Sequence, residues 1–282
     1  MTTPPHEMRF RRILLPLDSG ATDGADLDAA VRLAARFQAE VVGIFIEDAD
    51  LMRLAALPFA RETAPLSAST RRLDPADMAR ALRARAGMLR ARLRERATQA
   101  SVSWSFRIVQ GELLAEQLGE AAASDLLILG TGSRRAASPR AAGRVTRHFF
   151  SHGACTVWLR RAPAAEERPV VALLDDISSG WRVLAVARQF ACRDGKHLLV
   201  MIAADDATEF ARRAHEVGER LSVDGMEAEC LPLARAAASD LIQVVTSARG
   251  KLLVIARDSP LASGAGYQRL LENLPCEIVL AG

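Results

Sequence analysis

The chain has 282 residues, half of them hydrophobic and a quarter charged, with a formal net charge of +3. That length accommodates one large domain or two ordinary ones, and the composition supports a sizeable core and excludes global disorder. Of the 37 basic residues only Lys196 and Lys251 are lysines, which points to the codon bias of a GC-rich genome more than to a basic binding surface.

In chain order, the opening MTTPPHEMRFRR carries charge but not the apolar stretch of a signal peptide. Ile13 to Leu17 is a short apolar run closed by Asp18, the pattern of a parallel strand buried on both faces. Leu27, Ala30, Val31, Ala34 and Phe37 fall at helical spacing and predict an amphipathic helix capped near Asp23. VVGIFI (41–46) predicts a second strand. VSWSFRIV (102–109) sets Val102, Trp104, Phe106 and Ile108 against Ser103, Ser105 and Arg107, a period-2 strand with one wetter face. GELLAEQLGEAAA reads as a helix, DLLILG (125–130) as a strand, and CTVWL (155–159) as another after one more helix.

PAAEERP (163–169) is polar and bounded by prolines, a linker, and after it the order restarts. RPVVALLDD repeats RRILLPLDS and sets Asp175 opposite Asp18. RVLAVARQF (182–190) answers AAVRLAARF (29–37), and HLLVMIA (197–203) and MEAECLPL (226–233) answer the second and third strands. GKLLVIARDS (250–259) repeats SDLLILGTGS, and LPCEIVL repeats GACTVWL with Cys276 opposite Cys155. Each unit therefore alternates strand and helix, which builds a mainly parallel sheet with helices on both faces. Ligands on such sheets bind beyond the carboxyl ends of the strands, where strand order reverses, and Asp18 and the Gly130 loop stand at such ends.

With ILLPLD at its start and LILGTGS…G…VTRHFFSHGACTVWLRR at its end, the first unit resembles a universal stress protein domain, and the whole chain resembles a tandem member of that family. The likeness covers all but an insert at about 48–77 and the linker. It implies two Rossmann-like α/β domains with five-stranded sheets, at 1–162 and 170–282, the second shortened and degenerate. It also implies that the last strands, CTVWLR and CEIVLA, pair as an internal pseudo-dimer with Trp158 at the join. The expected setting is a cytoplasmic protein of stress adaptation that acts by binding a ligand or a partner.

The family's nucleotide motif is Gly-x2-Gly-x9-Gly-Ser/Thr. Gly130 matches its first position and Gly143 its third, while Ser133 stands for the second glycine and Arg144 for the final Ser/Thr. Asp18 matches the acidic residue that lies near the adenosine in nucleotide-binding members. Serine adds bulk where phosphate oxygens would sit, with Gly132 and the hydroxyl as partial compensation. Arg144 brings a charge that phosphate welcomes but a size that the pocket does not. The loop thus favours anions while its shape departs from a triphosphate cradle. Three readings stay open: a strand-to-helix turn that has lost nucleotide, an altered site for ATP or AMP with Mg and slow hydrolysis, or a site for some other anion. In the second unit Ala256 and Arg257 stand at the strand end, so no nucleotide is expected there.

Other motifs are absent or incomplete. GTGSRR lacks the third glycine of GxGxxG, and no P-loop or GxSxG elbow occurs. The four cysteines are far apart without a CxxC pair, which argues against zinc and disulfides and fits reduced thiols. His148 and His152 lie four apart with no further ligand at matching spacing, and His215 reads as a surface residue. No apolar run approaches the ~20 residues of a membrane span. No nucleophile, base and orienter occur together, so strong catalysis is not expected. MARALRARAGMLRARLRERA (78–97) stripes Met78, Leu82, Leu89 and Leu93 with Ala86 between them and leaves its arginines mostly off that face. Without interleaved aromatics these arginines read as a solvated face, not a nucleic-acid surface. Within the insert, LMRLAALPFA is apolar enough to pack as a short helix.

Overall fold

The computed structural model describes residues 9–17, 24–47, 49–63, 70–110, 121–130, 154–160, 168–191, 198–223, 225–233, 238–262 and 264–282. Internal contacts define two compact units, Phe10–Gly153 and Ala154–Gly282.

The first unit carries β1 (Arg12–Leu17), α1 (Gly24–Phe37), β2 (Glu40–Glu47), α2 (Ala49–Ala55), β3 (Arg61–Thr63), β4 (Thr70–Arg72), α3 (Pro75–Gln99), β5 (Trp104–Gln110) and β6 (Asp125–Gly130). The apolar run of β1 is mostly buried: β2 and β6 pair with it as parallel neighbours along its two edges, and α1 packs against it. β5 extends the ladder from β2, giving the order β6-β1-β2-β5. Asp74 caps α3 by accepting from the Ala76 and Asp77 amides at 2.7 and 3.3 Å, with Pro75 at the first helical position. The stripe Leu82, Ala86, Leu89, Leu93 and Ala97 is buried. Gly43 of β2 lets this helix approach the sheet, since a Cβ there would come within 2.7 Å of the Leu93 side chain. Asp125, 1% exposed, receives Arg12 Nε at 2.9 Å and the Ala122 amide at 2.9 Å, so its buried charge is paired and hydrogen-bonded.

Two features depart from the sequence reading. The alternation expected over 102–109 gives way at Ile108, which is 53% exposed, while Val109 is buried. β5 pairs only with β2 among the described residues, and an edge strand need not bury one whole face. The insert holds the expected short helix, α2, but also the antiparallel pair β3–β4, registered Arg61↔Arg72 to Thr63↔Thr70. Ala55, Ala60 and Leu73 form its small core, with Met78 of α3 packed against it.

The second unit carries β7 (Thr156–Arg160), β8 (Val170–Leu174), α4 (Ile177–Phe190), β9 (Leu198–Ala203), α5 (Ala207–Ser222), β10 (Glu229–Leu233), α6 (Ala238–Ser247), β11 (Leu252–Ala256), a 3₁₀ turn at Pro260–Ala262, α7 (Gly264–Asn273) and β12 (Glu277–Ala281). Its strands run β10-β9-β8-β11-β12-β7. Within it, β10-β9-β8-β11 repeats the parallel order of β5-β2-β1-β6. β7 alone is antiparallel, with Trp158 opposite Val279 and Leu159 opposite Ile278. This ladder gathers the strand that precedes the 163–169 segment into the second unit. Both units also end helices alike. Ser101 (φ 54°) and Arg249 (φ 52°) adopt the left-handed conformation after α3 and α6, and the next amides, Val102 and Gly250, donate to Ala97 and Val245 at 2.9 Å each.

Candidate functional site

Of the residues that the sequence nominates, Asp18, Gly132, Ser133, Gly143 and Arg144 lie outside the described residues, as do His148 and His152. Gly130 is described, and it ends β6 beside the point where the order of the first unit reverses between β1 and β6. Its close approach is to Asp26, in the first turn of α1: a Cβ on Gly130 would run into that carboxylate. The glycine thus makes room for an acidic side chain of its own domain.

The second unit presents a cavity of about 440 Å³ at the corresponding place, the carboxyl ends of β8, β9 and β11. Strand order reverses here between β8 and β11, the position where open α/β sheets take ligands. Parallel topology brings three chain segments together. Asp175 and Asp176 follow β8, Asp205 follows β9, and Asp258 and Ser259 follow β11. Ser179, Glu209 and Arg213 reach the cavity from α4 and α5.

Each helix start here is fixed by a carboxylate. Asp176 caps α4, accepting from the amides of Ser178 at 2.9 Å and Ser179 at 3.3 Å and from the Ser178 hydroxyl. Asp206 caps α5 by accepting from the Glu209 amide at 2.8 Å, and Glu209 in return accepts from the Asp205 amide at 3.0 Å. That backbone bond, with Arg213 and Arg212 nearby, holds the Glu209 carboxyl below its ordinary range against the opposing effect of burial. Arg213 lies 2.6 Å from Glu209 and donates to the Ala203 carbonyl at 2.8 Å, so its guanidinium is committed to the wall. Ser259 donates its hydroxyl proton to Asp175 and accepts from the Leu261 amide at 3.2 Å. Both functions of that hydroxyl are engaged, so Ser259 orients Asp175 and is not set up to attack a substrate. Five carboxylates and one guanidinium line the cavity, a surface that binds cations or hydroxyl donors and repels anions.

Comparison with known proteins assigns this scaffold. The model of the universal stress protein family matches residues 9–161. The chain belongs to the universal stress protein family. Its fold is similar to that of a universal stress protein from Archaeoglobus fulgidus DSM 4304, at 10% identity and a TM-score of 0.66, over 96% of this chain and 98% of that one. It is also similar to a functionally unknown protein from Pseudomonas aeruginosa PAO1, at 14% identity and a TM-score of 0.57, over 97% and 93% of the two chains. No curated protein matches the chain. Among the described residues of this universal stress protein, no helix is long and apolar enough to cross a membrane. Nor do any three His, Cys, Asp or Glu side chains among them gather to hold a metal ion.

The acidic cavity has no motif in the sequence, because its carboxylates come from three strand ends that are distant along the chain. The available signal was Asp175-Asp176, Asp205-Asp206 and Asp258, carboxylates at the ends of three strands destined to be neighbours.

Proposed function

We propose that this universal stress protein acts in stress adaptation in the cytoplasm by binding a ligand or a partner, without strong catalysis. Its first domain holds a degenerate nucleotide site and its second domain none. The observation that carries this reading is the charge of the second cavity, where Asp175, Asp176, Asp205, Glu209 and Asp258 face the single guanidinium of Arg213. A triphosphate there would meet like charge from every wall. In the first domain, Asp26 stands against the one motif glycine that is described, which supports a site altered away from phosphate. The domains are taken as 1–162 and 170–282 about the linker 163–169, paired through their last strands, and the antiparallel ladder of β7 with β12 supports that pairing. A second reading, ATP or AMP with Mg bound in the first domain with slow hydrolysis, is favoured by the retention of Gly130 at its strand end.

The deciding experiment is extraction of the purified protein for co-bound nucleotide, followed by calorimetric titration with Mg-ATP. We expect no co-purified nucleotide and no saturable heat in the wild type, with a gain of binding in Asp26→Ala. Stoichiometric ATP or AMP in the extract, or tight binding that Gly130→Ala abolishes, would instead establish the second reading.

A further inference from the structure

We propose that the turn after α2 in the first domain docks on the surface of an anionic lipid bilayer, with Leu54, Leu57 and Phe59 entering the headgroup region and Arg61 and Arg72 meeting the lipid phosphates. This surface is distinct from the Gly130 loop, and the proposal stands whichever reading of that loop holds. The chain folds back twice here: the Leu57 amide donates to the Leu54 carbonyl and the Ala60 amide to the Leu57 carbonyl, each at 3.1 Å. Burial along the turn is inverted. The small side chains of Ala55 and Ala60 are buried in the core with Leu73, while the large ones face water, Phe59 at 74% exposure, Leu54 at 48% and Leu57 at 39%. Folding selects the opposite arrangement, and exposed apolar residues that cluster mark an interaction site where scattered ones do not.

A second, independent observation is the charge beside this turn. Arg61 follows Phe59 by two residues, at most about 7 Å of chain, and the β3–β4 register sets it opposite Arg72. Cross-strand partners project to the same face, where like charges repel. Both arginines are exposed, and neither has a carboxylate partner among the described residues. Residues 49–99 hold eleven arginines against five carboxylates, in a chain whose net charge is only +3. With Met88, the same stretch holds four of the six large hydrophobic side chains that are exposed among the described residues. An anionic bilayer answers both features, since its surface is negative and hydrocarbon lies directly beneath. Nucleic acid would take the arginines but leave Leu54 and Leu57 in water. A second copy of the chain would take the leucines but oppose arginine to arginine.

The test is co-sedimentation of the full-length protein with vesicles of phosphatidylcholine alone and of phosphatidylcholine mixed with phosphatidylglycerol, at low and high salt. Partitioning onto the anionic vesicles alone is expected, and it should fall steeply as salt screens the arginines. Phe59→Ser should weaken it by roughly tenfold, and Arg61→Gln and Arg72→Gln by roughly fivefold each. Val223→Ser, which removes an exposed apolar side chain of the second unit, should leave it unchanged. Phe59, Arg61 and Arg72 are all exposed, so their variants test the surface without risk to folding. Absence of partitioning in the wild type, equal partitioning onto neutral vesicles, or parental partitioning of Phe59→Ser would overturn the proposal. Binding of a DNA duplex in place of vesicles, weakened by Arg61→Gln but not by Phe59→Ser, would overturn it in favour of nucleic acid. A dimer in sedimentation velocity that Phe59→Ser dissociates would overturn it in favour of a second copy of the chain.

Discussion

Replacing Trp158 by Phe should weaken the second unit by about 2 kcal/mol, a value built from a single polar contact. Trp158 is 8% exposed, and its indole N–H donates to Glu277 Oε2 at 3.0 Å. The other carboxylate oxygen lies 3.5 Å from Nε of Arg160, whose guanidinium sits 5.3 Å from the Trp158 ring centroid and is itself only 3% exposed. Phe190 meets the indole edge-on, with centroids 5.5 Å apart. Phenylalanine keeps the contact with Phe190 and much of the face toward Arg160 but removes the donor. A hydrogen bond to a charged, buried acceptor contributes roughly 1.5–3 kcal/mol, and the smaller ring loses some packing besides. Truncation to alanine removes the ring as well and should cost ~3–5 kcal/mol. Urea unfolding is the assay, in a Trp104→Phe background so that the fluorescence comes from Trp158 and Trp181, both in the second unit. With a slope of ~2 kcal/mol per molar, the midpoint of Trp158→Phe should fall by about 1 M at constant slope. Adding Glu277→Gln should make the effects non-additive, because the two side chains share the bond. A Trp158→Phe midpoint within ~0.2 M of the parent, or full additivity with Glu277→Gln, would refute a stabilising indole–carboxylate bond at the β7–β12 ladder.

Two further outcomes are open to measurement. Ser101→Gly should stabilise the first unit by about 0.5–1 kcal/mol in urea unfolding, because relief of a left-handed φ of 54° outweighs the extra freedom of glycine when unfolded, whereas Ser101→Ala should give no gain. Glu209 has its folded pKa lowered below the ordinary 4.5, so its contribution is present above about pH 4.5 and is lost as pH falls through the lower folded value. The difference in urea midpoint between wild type and Glu209→Gln should therefore be constant near neutrality and close in acid, and a difference independent of pH would show that the Asp205 amide and Arg213 do not favour the ionised form.

The central strands were legible because burial on both faces leaves a continuous apolar run, and Ile13–Leu17, Leu126–Ile128 and Leu252–Ile255 are such runs. The stripe of α3 was legible for the same reason at helical period. β5 was harder: which of Ile108 and Val109 turns inward depends on what lies beside an edge strand, and no alternation in the chain encodes that. β3 and β4 are three residues each, RET and TRR, too short and polar to carry a period. At the site, Gly130 announced a close approach but not its partner, because Asp26 stands on another element and meets it only through the β1–β6 ladder.

The two domains show how one topology can be kept while its chemistry is changed. Strand order and helix endings recur between them, and the family fold survives at 10% identity to the Archaeoglobus protein, since buried apolar runs need only remain apolar. The loops beyond the strand ends carry no such constraint. Ala256 holds in the second unit the place that Gly130 holds in the first, and a methyl group at the strand end removes the close approach that glycine allows. Beyond it, Arg257 and Asp258 stand in place of Thr131 and Gly132, and Ser259, which keeps the serine of GTGS, turns its proton toward Asp175. The aspartate in place of Gly132 moves the switch point away from anion binding, and the outcome is an open acidic cavity. Loss of a phosphate site would by itself permit a collapsed loop or a random charge. The walls of this cavity are instead held by two helix caps, an ion pair and a doubly engaged serine, so its acidity is fixed by the same contacts that start α4 and α5.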